Sequence, residues 1–281
     1  MSVYERYAVT AASYDDTRWA AGREVILGCL AEAETPLASM TLLDAGCGTG
    51  NYARALIDRV GRIEALDLEP AMLERARAKL EGEAAAGRIR FHRGSVLELP
   101  FEDASFDGVM VNQMLHHLPG EPGDPLAGYR RAFAEFARVL RPGGVLTVNS
   151  CAPHQLDRGY WYYALLPEAA RRIRERFPPL RRLREMLEVR GLEWRGSFAP
   201  LDPVLMGEAY FDPRGPFDPA WRAGDSTFAL VTPEELERAL ATLRRLEEEG
   251  GLERFLHERD AERETVGQIT VFYARKPAAG N

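Results

Sequence analysis

Asp44, Gly46, Gly48 and Gly50 stand at alternate positions between the apolar pair Leu42–Leu43 and a helix that begins near Asn51. Glycine carries no Cβ, so the backbone at these points can turn sharply and come within contact distance of a bound molecule. The free N–H groups and the positive end of the following helix face the same spot. A strand, glycine loop and helix in this order make a cofactor cradle, with Cys47 as a small filler of the loop. The spacing is not the dinucleotide pattern G-x-G-x-x-G, because the third glycine comes one residue early and leaves no slot for a pyrophosphate on the helix N-terminus.

The pattern D-x-G-x-G-x-G resembles motif I of the class I S-adenosylmethionine-dependent methyltransferases, and four later segments fall in the order that family shows. In IEALDLEPAMLERARAKL, the strand Ile63–Leu68 carries Asp67 at its end and Pro70 opens the next helix. A carboxylate in that place can accept two hydrogen bonds from vicinal ribose hydroxyls, with Leu68 and Met72 flanking the adenine. In GSVLELPF, the residue after Gly94 is usually an aspartate in the family, and here it is Ser95. Its hydroxyl can still accept a bond from the adenine amino group, and Val96 can offer its backbone N–H to a ring nitrogen. After the next strand, Phe106–Val111, comes NQMLHHL. The pair His116–His117 resembles the L-H-H of quinone-biosynthesis methyltransferases, and Asn112 falls where methyl donor and acceptor meet. The N-P-P-Y-type motif of enzymes that methylate exocyclic amines of bases or glutamine amides is absent here. The fourth segment, LRPGGVLTVNS, turns at Arg141–Gly144 into a fifth strand. Ahead of the core, Tyr14 and Arg18 lie in a segment resembling the family's cofactor-covering helix. Arg18 could there pair with the methionine carboxylate, as a guanidinium fork suits a planar carboxylate, or the aromatics could simply pack the helix on the sheet. The resemblance covers roughly residues 1–150 and the strand Gln268–Lys276. It implies S-adenosyl-L-methionine as cofactor, held by Tyr14, Arg18, Asp44, Gly46, Cys47, Gly48, Gly50, Asp67, Leu68, Met72, Ser95, Val96 and Asn112, and no metal.

Alternating strands and helices from 42 to 150 require parallel strands joined by right-handed crossovers. The expected fold is therefore α/β and doubly wound, and the resemblance implies a mostly parallel, Rossmann-like seven-stranded sheet with an antiparallel last strand, with a helical and loop lid added. Four parts are expected: N-terminal cofactor-covering helices (1–35), the cofactor core (36–150), further core elements with lid insertions (151–267), and the final strand and tail (268–281). Two stretches look additional, CAPHQLDRGYWYYALLP and the proline- and glycine-punctuated run from Leu201 to Val231, and loops of this length are usually functional. Tyr160, Trp161, Tyr162, Tyr163, Tyr210, Phe211 and Trp221 are candidate walls of an acceptor pocket. His117, His154, Tyr160 and Asp225 are polar groups that could remove a proton, although each has an ordinary packing or loop role open to it.

Composition bounds the substrate. A formal net charge of −7 argues against a polyanionic macromolecule as the main partner, although nine arginines stand against four glutamates between Arg171 and Arg195. Pro178 and Pro179 split that stretch into two helices. Three cysteines lack metal-site spacing and suggest a reducing cytoplasm, and no apolar run approaches the roughly 20 residues that span a bilayer. The reading that follows is methyl transfer to a small-molecule acceptor, with a protein or RNA acceptor, or cofactor binding without methyl transfer, as alternatives.

Overall fold

The computed structural model describes residues 18–278. Among them, one sheet has strand order β3-β2-β1-β4-β5-β7-β6, built from β1 (Thr41–Ala45), β2 (Arg62–Asp67), β3 (Ile89–Arg93), β4 (Phe106–Asn112), β5 (Leu140–Ser150), β6 (Glu193–Phe198) and β7 (Thr270–Arg275). The first five strands run parallel, while β7 is antiparallel to both β5 and β6. Strands β1 and β4 are buried along their whole length, as parallel strands covered on both faces must be. Successive residues alternate between the two covers: Leu42 and Met110 pack with α1 (Arg23–Leu30), whereas Leu43, Val109 and Val111 pack with α5 (Ala127–Val139). The turn at Arg141–Gly144 lies within β5 as a bulge, with Leu140 opposite Phe106 but Val145 opposite Gly108.

The remaining helices follow from their starts. Prolines open α3 (Pro70–Lys79), α6 (Pro153–Arg158), α7 (Pro167–Arg174), α9 (Pro219–Arg222) and α10 (Pro233–Glu248), at positions where the missing N–H costs nothing. Thr232 caps α10 by accepting from the Glu235 amide at 3.2 Å. Between α1 and α3, α2 (Asn51–Leu56) follows the glycine loop, and α4 (Glu81–Ala85) leads into β3. The prolines at 178 and 179 separate α7 from α8 (Leu180–Glu188). The arginines of these two helices are mostly engaged locally: Arg171 with Glu175, Arg172 with Glu168, Arg174 with Asp157, Arg181 and Arg182 with Glu185, and Arg184 with Glu188.

The extra stretches do not form an open lid. Residues 201–231 fold into short helical turns whose side chains join Tyr160–Tyr163, α7, α10 and α11 (Leu252–Asp260) in a second core. Trp161, Tyr162 and Tyr210 are completely buried there, and Trp221 packs against Tyr162 at 5.1 Å between ring centres. Trp161 and Trp221 thus belong to the interior of a cap and line neither of the two pockets at the sheet's carboxyl edge, and Phe211 lies exposed on its outside. Two buried glutamines fasten this cap to the sheet. Gln155 accepts from the Ala152 amide and donates to the Val266 and Ile269 carbonyls, while Gln268 accepts from the Leu205 amide and donates to the Gly159 carbonyl.

Truncating a buried indole removes its contacts and leaves a cavity that the surroundings only partly fill, at a cost of roughly 3–5 kcal/mol. Trp221→Ala should therefore lower the unfolding free energy obtained from urea titration by that amount. A loss under about 1 kcal/mol would show that the cap core contributes little to folding.

Candidate functional site

At the carboxyl ends of β1, β2 and β4 a cleft of about 1050 Å³, including its mouth, is lined by Gly46, Gly48, Asp67, Leu68, Met72, Ser95, Val96, Asn112, Met114 and His117, among others. The glycine loop is tied down before it meets any ligand, because the amides of Gly46 and Cys47 both donate to the Leu66 carbonyl, at 2.8 and 3.0 Å. Gly48 adopts a left-handed backbone, φ 54°, and a Cβ there would project into open space with nothing within 4 Å. That space belongs to the cleft. Gly46, φ 79°, is needed for a different reason: its Cβ would lie 2.7 Å from Met114 Cγ, so a side chain would displace a wall of the cleft.

The Asp67 carboxylate accepts from the Gly48 amide at 2.8 Å and from the Glu69 amide at 2.9 Å, one on each oxygen. Each oxygen keeps a lone pair for a further donor. Burial raises the Asp67 pKa above its ordinary value, opposed by those amides. Asp44 is more extreme. It is 1% exposed, and neither carboxylate oxygen meets a hydrogen-bond partner among the described residues. Burial and then the charge of Asp67 push its pKa up to about 8, with the Ala53 amide opposing them. The Asn112 side chain, at the end of β4, likewise leaves both polar atoms unpartnered among the described residues. A buried carboxylate without a partner fits an ammonium group, and a free carboxylate edge at Asp67 fits a diol. These residues therefore suit the amino-acid and ribose portions of S-adenosylmethionine.

A second, narrow pocket, of about 40 Å³ between its walls and about 570 Å³ when the space open to solvent is counted, lies under the cap and is lined by Tyr160, Tyr162, Tyr163, Tyr210, Asp225 and Cys151, with Arg18, His116 and Phe177. Gln113 and His117 line both cavities, so they form the wall between them. Asp225 caps the turn Ser226–Leu230 through the Thr227 amide at 2.7 Å, and it also accepts from the Tyr162 and Tyr163 hydroxyls. The two histidine rings lie 4.0 Å apart between centres, tilted by 41°, and His116 stacks on Phe177 at 4.6 Å. Burial, with Arg18 and Arg176 nearby, lowers the pKa of His116 to about 3; burial, then His116 and the same arginines, lowers that of His117 well below 6.5. Both rings are therefore neutral at ordinary pH and poor proton acceptors. Burial pushes the Tyr160 hydroxyl well up, so it stays protonated.

The structure sorts the residues singled out from sequence. Gly46, Gly48, Asp67, Leu68, Met72, Ser95, Val96, Asn112 and His117 line the cleft, while Asp44, Cys47 and Gly50 stand behind its loop. The Ser95 hydroxyl accepts from the Leu97 amide at 3.2 Å, which fixes its turn. Arg18 lines the inner cavity instead of the cleft, and Tyr14 lies outside the described residues. His154 is exposed on α6 and lines neither cavity, because the buried face of that short helix is taken by Gln155 and Leu156. Gln113 went unnoticed in the sequence. Its signal is a left-handed backbone, φ 50°, which residue type does not announce.

Sheet, glycine loop and strand-end acid together define an S-adenosylmethionine-type Rossmann-like core. The family model described as a methyltransferase domain matches residues 43–148, so this part of the chain is similar to that family. The chain is 36% identical over 123 residues to the biotin biosynthesis bifunctional protein of Teredinibacter turnerae, covering 41% of this chain and 20% of that one. It is 32% identical over 130 residues to the demethylmenaquinone methyltransferase of Desulfitobacterium hafniense, covering 44% and 48%. The chain thus spans less than half the length of these curated relatives. A solved structure from Anabaena variabilis, described as a methyltransferase of an antibiotic biosynthesis pathway, superposes with TM-score 0.71 at 22% identity, covering 92% of this chain and 99% of that one.

Asp44 yields a prediction with a sign. Its folded pKa lies near 8 against 3.8 for the free group, so its contribution to stability is fully present below pH 4 and lost as pH rises through 8. Asp44→Asn should therefore raise the melting temperature at pH 8 and change it little at pH 4. The same substitution should weaken S-adenosylmethionine binding at least tenfold, about 1.4 kcal/mol, in titration calorimetry. Unchanged affinity would remove Asp44 from the site. Asp67→Ala deletes acceptors for charge-assisted bonds worth roughly 1.5–3 kcal/mol, so affinity should fall about tenfold to a hundredfold. Binding at the parental affinity would mean that the ribose is held elsewhere.

Proposed function

We propose that the protein transfers a methyl group from S-adenosylmethionine to a small molecule held in the inner cavity. The observation that carries this reading is the pair of adjoining pockets with a shared wall at Gln113 and His117, the inner one bordered by a packed aromatic cap. When bound, S-adenosylmethionine supplies a methyl group on a positively charged sulfur, and transfer is an in-line displacement. In this reading Asp67 holds the ribose, Asp44 faces the amino-acid ammonium, Leu68 and Met72 flank the adenine, and Ser95 and Val96 meet its polar edge. The cap excludes water and fixes the acceptor against the shared wall, which supplies most of what such a reaction asks of a protein.

The kind of cavity supports a compact acceptor. A peptide or RNA would need an open groove, whereas the inner space is walled by tyrosine rings and buried turns. Among the described residues that line it, only Arg18 and Asp225 bear a formal charge, and these are of opposite sign. That balance suits a neutral or singly charged acceptor better than a polyanion. The demethylmenaquinone methyltransferase among the relatives is named for a small acceptor, which agrees with this reading.

Incubation with S-adenosylmethionine carrying a labelled methyl group, in separate pools of metabolites, protein and RNA, tests the proposal. Label should appear in a low-molecular-weight product that requires the active protein. Label confined to protein or RNA would overturn the small-molecule reading, and binding without turnover in any pool would leave a cofactor-binding module.

A further inference from the structure

Gln113 directly follows β4 and holds a left-handed backbone, which is unfavourable for any residue with a Cβ. Such strain at the wall between two cavities is kept in place by its surroundings. The Gln113 amide donates to the Asn149 carbonyl at 2.8 Å, and Gln113 Nε2 donates to Asn149 Oδ1 at 2.9 Å.

The orientation of this side-chain amide is fixed by its neighbours. Asn149 Nδ2 lies 2.8 Å from the Ala21 carbonyl, an atom that can only accept, and 2.9 Å from the Tyr52 hydroxyl, which itself donates to the same carbonyl at 3.1 Å. Asn149 must therefore turn its nitrogen toward Ala21 and its oxygen toward Gln113. That oxygen needs an N–H, so Gln113 presents Nε2 to Asn149 and Oε1 to the opposite side. There Oε1 faces the Cys151 thiol at 3.7 Å, a weak donor. Burial raises the Cys151 pKa to about 12, so the sulfur keeps its proton and offers nothing stronger. The result is a carbonyl oxygen locked in direction at the junction of the two cavities and lacking, among the described residues, a strong donor there.

Resting on the reading of small-molecule methyl transfer, we propose that Gln113 Oε1 selects and aligns the methyl acceptor by accepting a hydrogen bond from its nucleophilic atom, which is therefore an amine nitrogen or a hydroxyl oxygen. The lone pair of that nitrogen or oxygen forms the new bond to the methyl carbon. The carbon–sulfur bond breaks with its electron pair going to sulfur, which leaves as the neutral thioether. The N–H or O–H proton becomes more acidic as positive charge develops beside it; Oε1 holds it in direction, and water at the mouth of the cleft takes it. A carbon acceptor would offer Oε1 no comparable donor and would leave this half-buried carbonyl unmatched. A site built to receive a hydrogen bond discriminates strongly against a ligand that cannot make it.

The test uses the full chain, S-adenosylmethionine with a trideuterated methyl group, and two acceptor pools: a bacterial metabolite extract, and a defined panel of phenols, primary amines, thiols and 1,3-diketones. The deuterated product is located by mass and its methylated atom is assigned by NMR. The label should sit on nitrogen or oxygen. Gln113→Met, which keeps the length but loses the carbonyl, should lower kcat/KM about tenfold to a hundredfold while S-adenosylhomocysteine affinity moves by less than about threefold. Gln113→Gly and Gln113→Met both leave the buried Asn149 Oδ1 without its donor, but glycine relieves the left-handed backbone, so Gln113→Gly should melt no lower than Gln113→Met yet be as slow, a result that a purely structural role would not give. Label on carbon or sulfur, or parental turnover in either variant, would overturn the inference and leave small-molecule methyl transfer standing. Absence of any labelled small molecule from both pools would overturn that reading and the inference with it.

Discussion

The reversal of strand order between β1 and β4 is the constraint on which the site depends. After β1 the chain winds outward through β2 to β3, then returns to place β4 on the other flank of β1 and continues to β5. Right-handed crossovers put the helices of these two halves on opposite faces of the sheet, so no connection covers the carboxyl ends of β1 and β4. Asp44 belongs to the end of β1 and Asn112 to the end of β4, in a register where Asp44 lies opposite Met110. The crevice is thus a product of topology, and the glycine loop converts it into a ligand site by keeping side chains out of it. The cap then adds a second compartment to the same edge without altering the sheet.

Polar satisfaction separates the site from the rest of the interior. Asp107 accepts from the Thr41 amide, the Thr35 hydroxyl and Arg141, and these bonds hold its pKa below the usual carboxylate range despite burial. Gln155 and Gln268 are equally well bonded at the junction of cap and sheet. Asp44 and Asn112 have no such partners among the described residues. Proteins seldom leave buried polar groups unmatched, and the exceptions call for a ligand, water or strain. Two of them at one strand-end crevice argue for a ligand with complementary donors and acceptors, whose binding would stabilise the fold.

How much of this was legible in sequence depended on whether the signal was local. The glycine loop, the acid at the end of β2 and the prolines at helix starts depend on spacing within a few residues, the parallel part of the sheet followed from the alternation of strand and helix, and the antiparallel β7 from the family resemblance. The cap was visible as an anomaly of length and aromatic content but was misread in kind. Tyr160 and Trp161 are adjacent and chemically alike, yet one lines the inner cavity and the other is sealed inside the cap. Only tertiary packing distinguishes them. His154 failed for a related reason, since a one-residue step along α6 separates an exposed histidine from the fully buried Gln155. Gln113 was hidden because its importance lies in backbone conformation and in an amide orientation set by Ala21 and Tyr52, residues far away in the chain.

The electrostatic character of the inner cavity bears on how much chemistry the protein itself must do. Burial keeps His116 and His117 uncharged, and it keeps the hydroxyls of Tyr160, Tyr162 and Tyr163 protonated. Asp225 is already bonded to two of those hydroxyls and to the Thr227 amide. No group here resembles an activated base poised near neutral pH. Attack of a neutral nucleophile on a cationic methyl donor spreads charge that begins concentrated on one atom, and a dry surrounding of low dielectric penalises concentrated charge most. A sealed aromatic cap over a cleft of fixed backbone amides therefore favours such a displacement through desolvation and alignment, with proton removal left to the solvent-facing side of the wall.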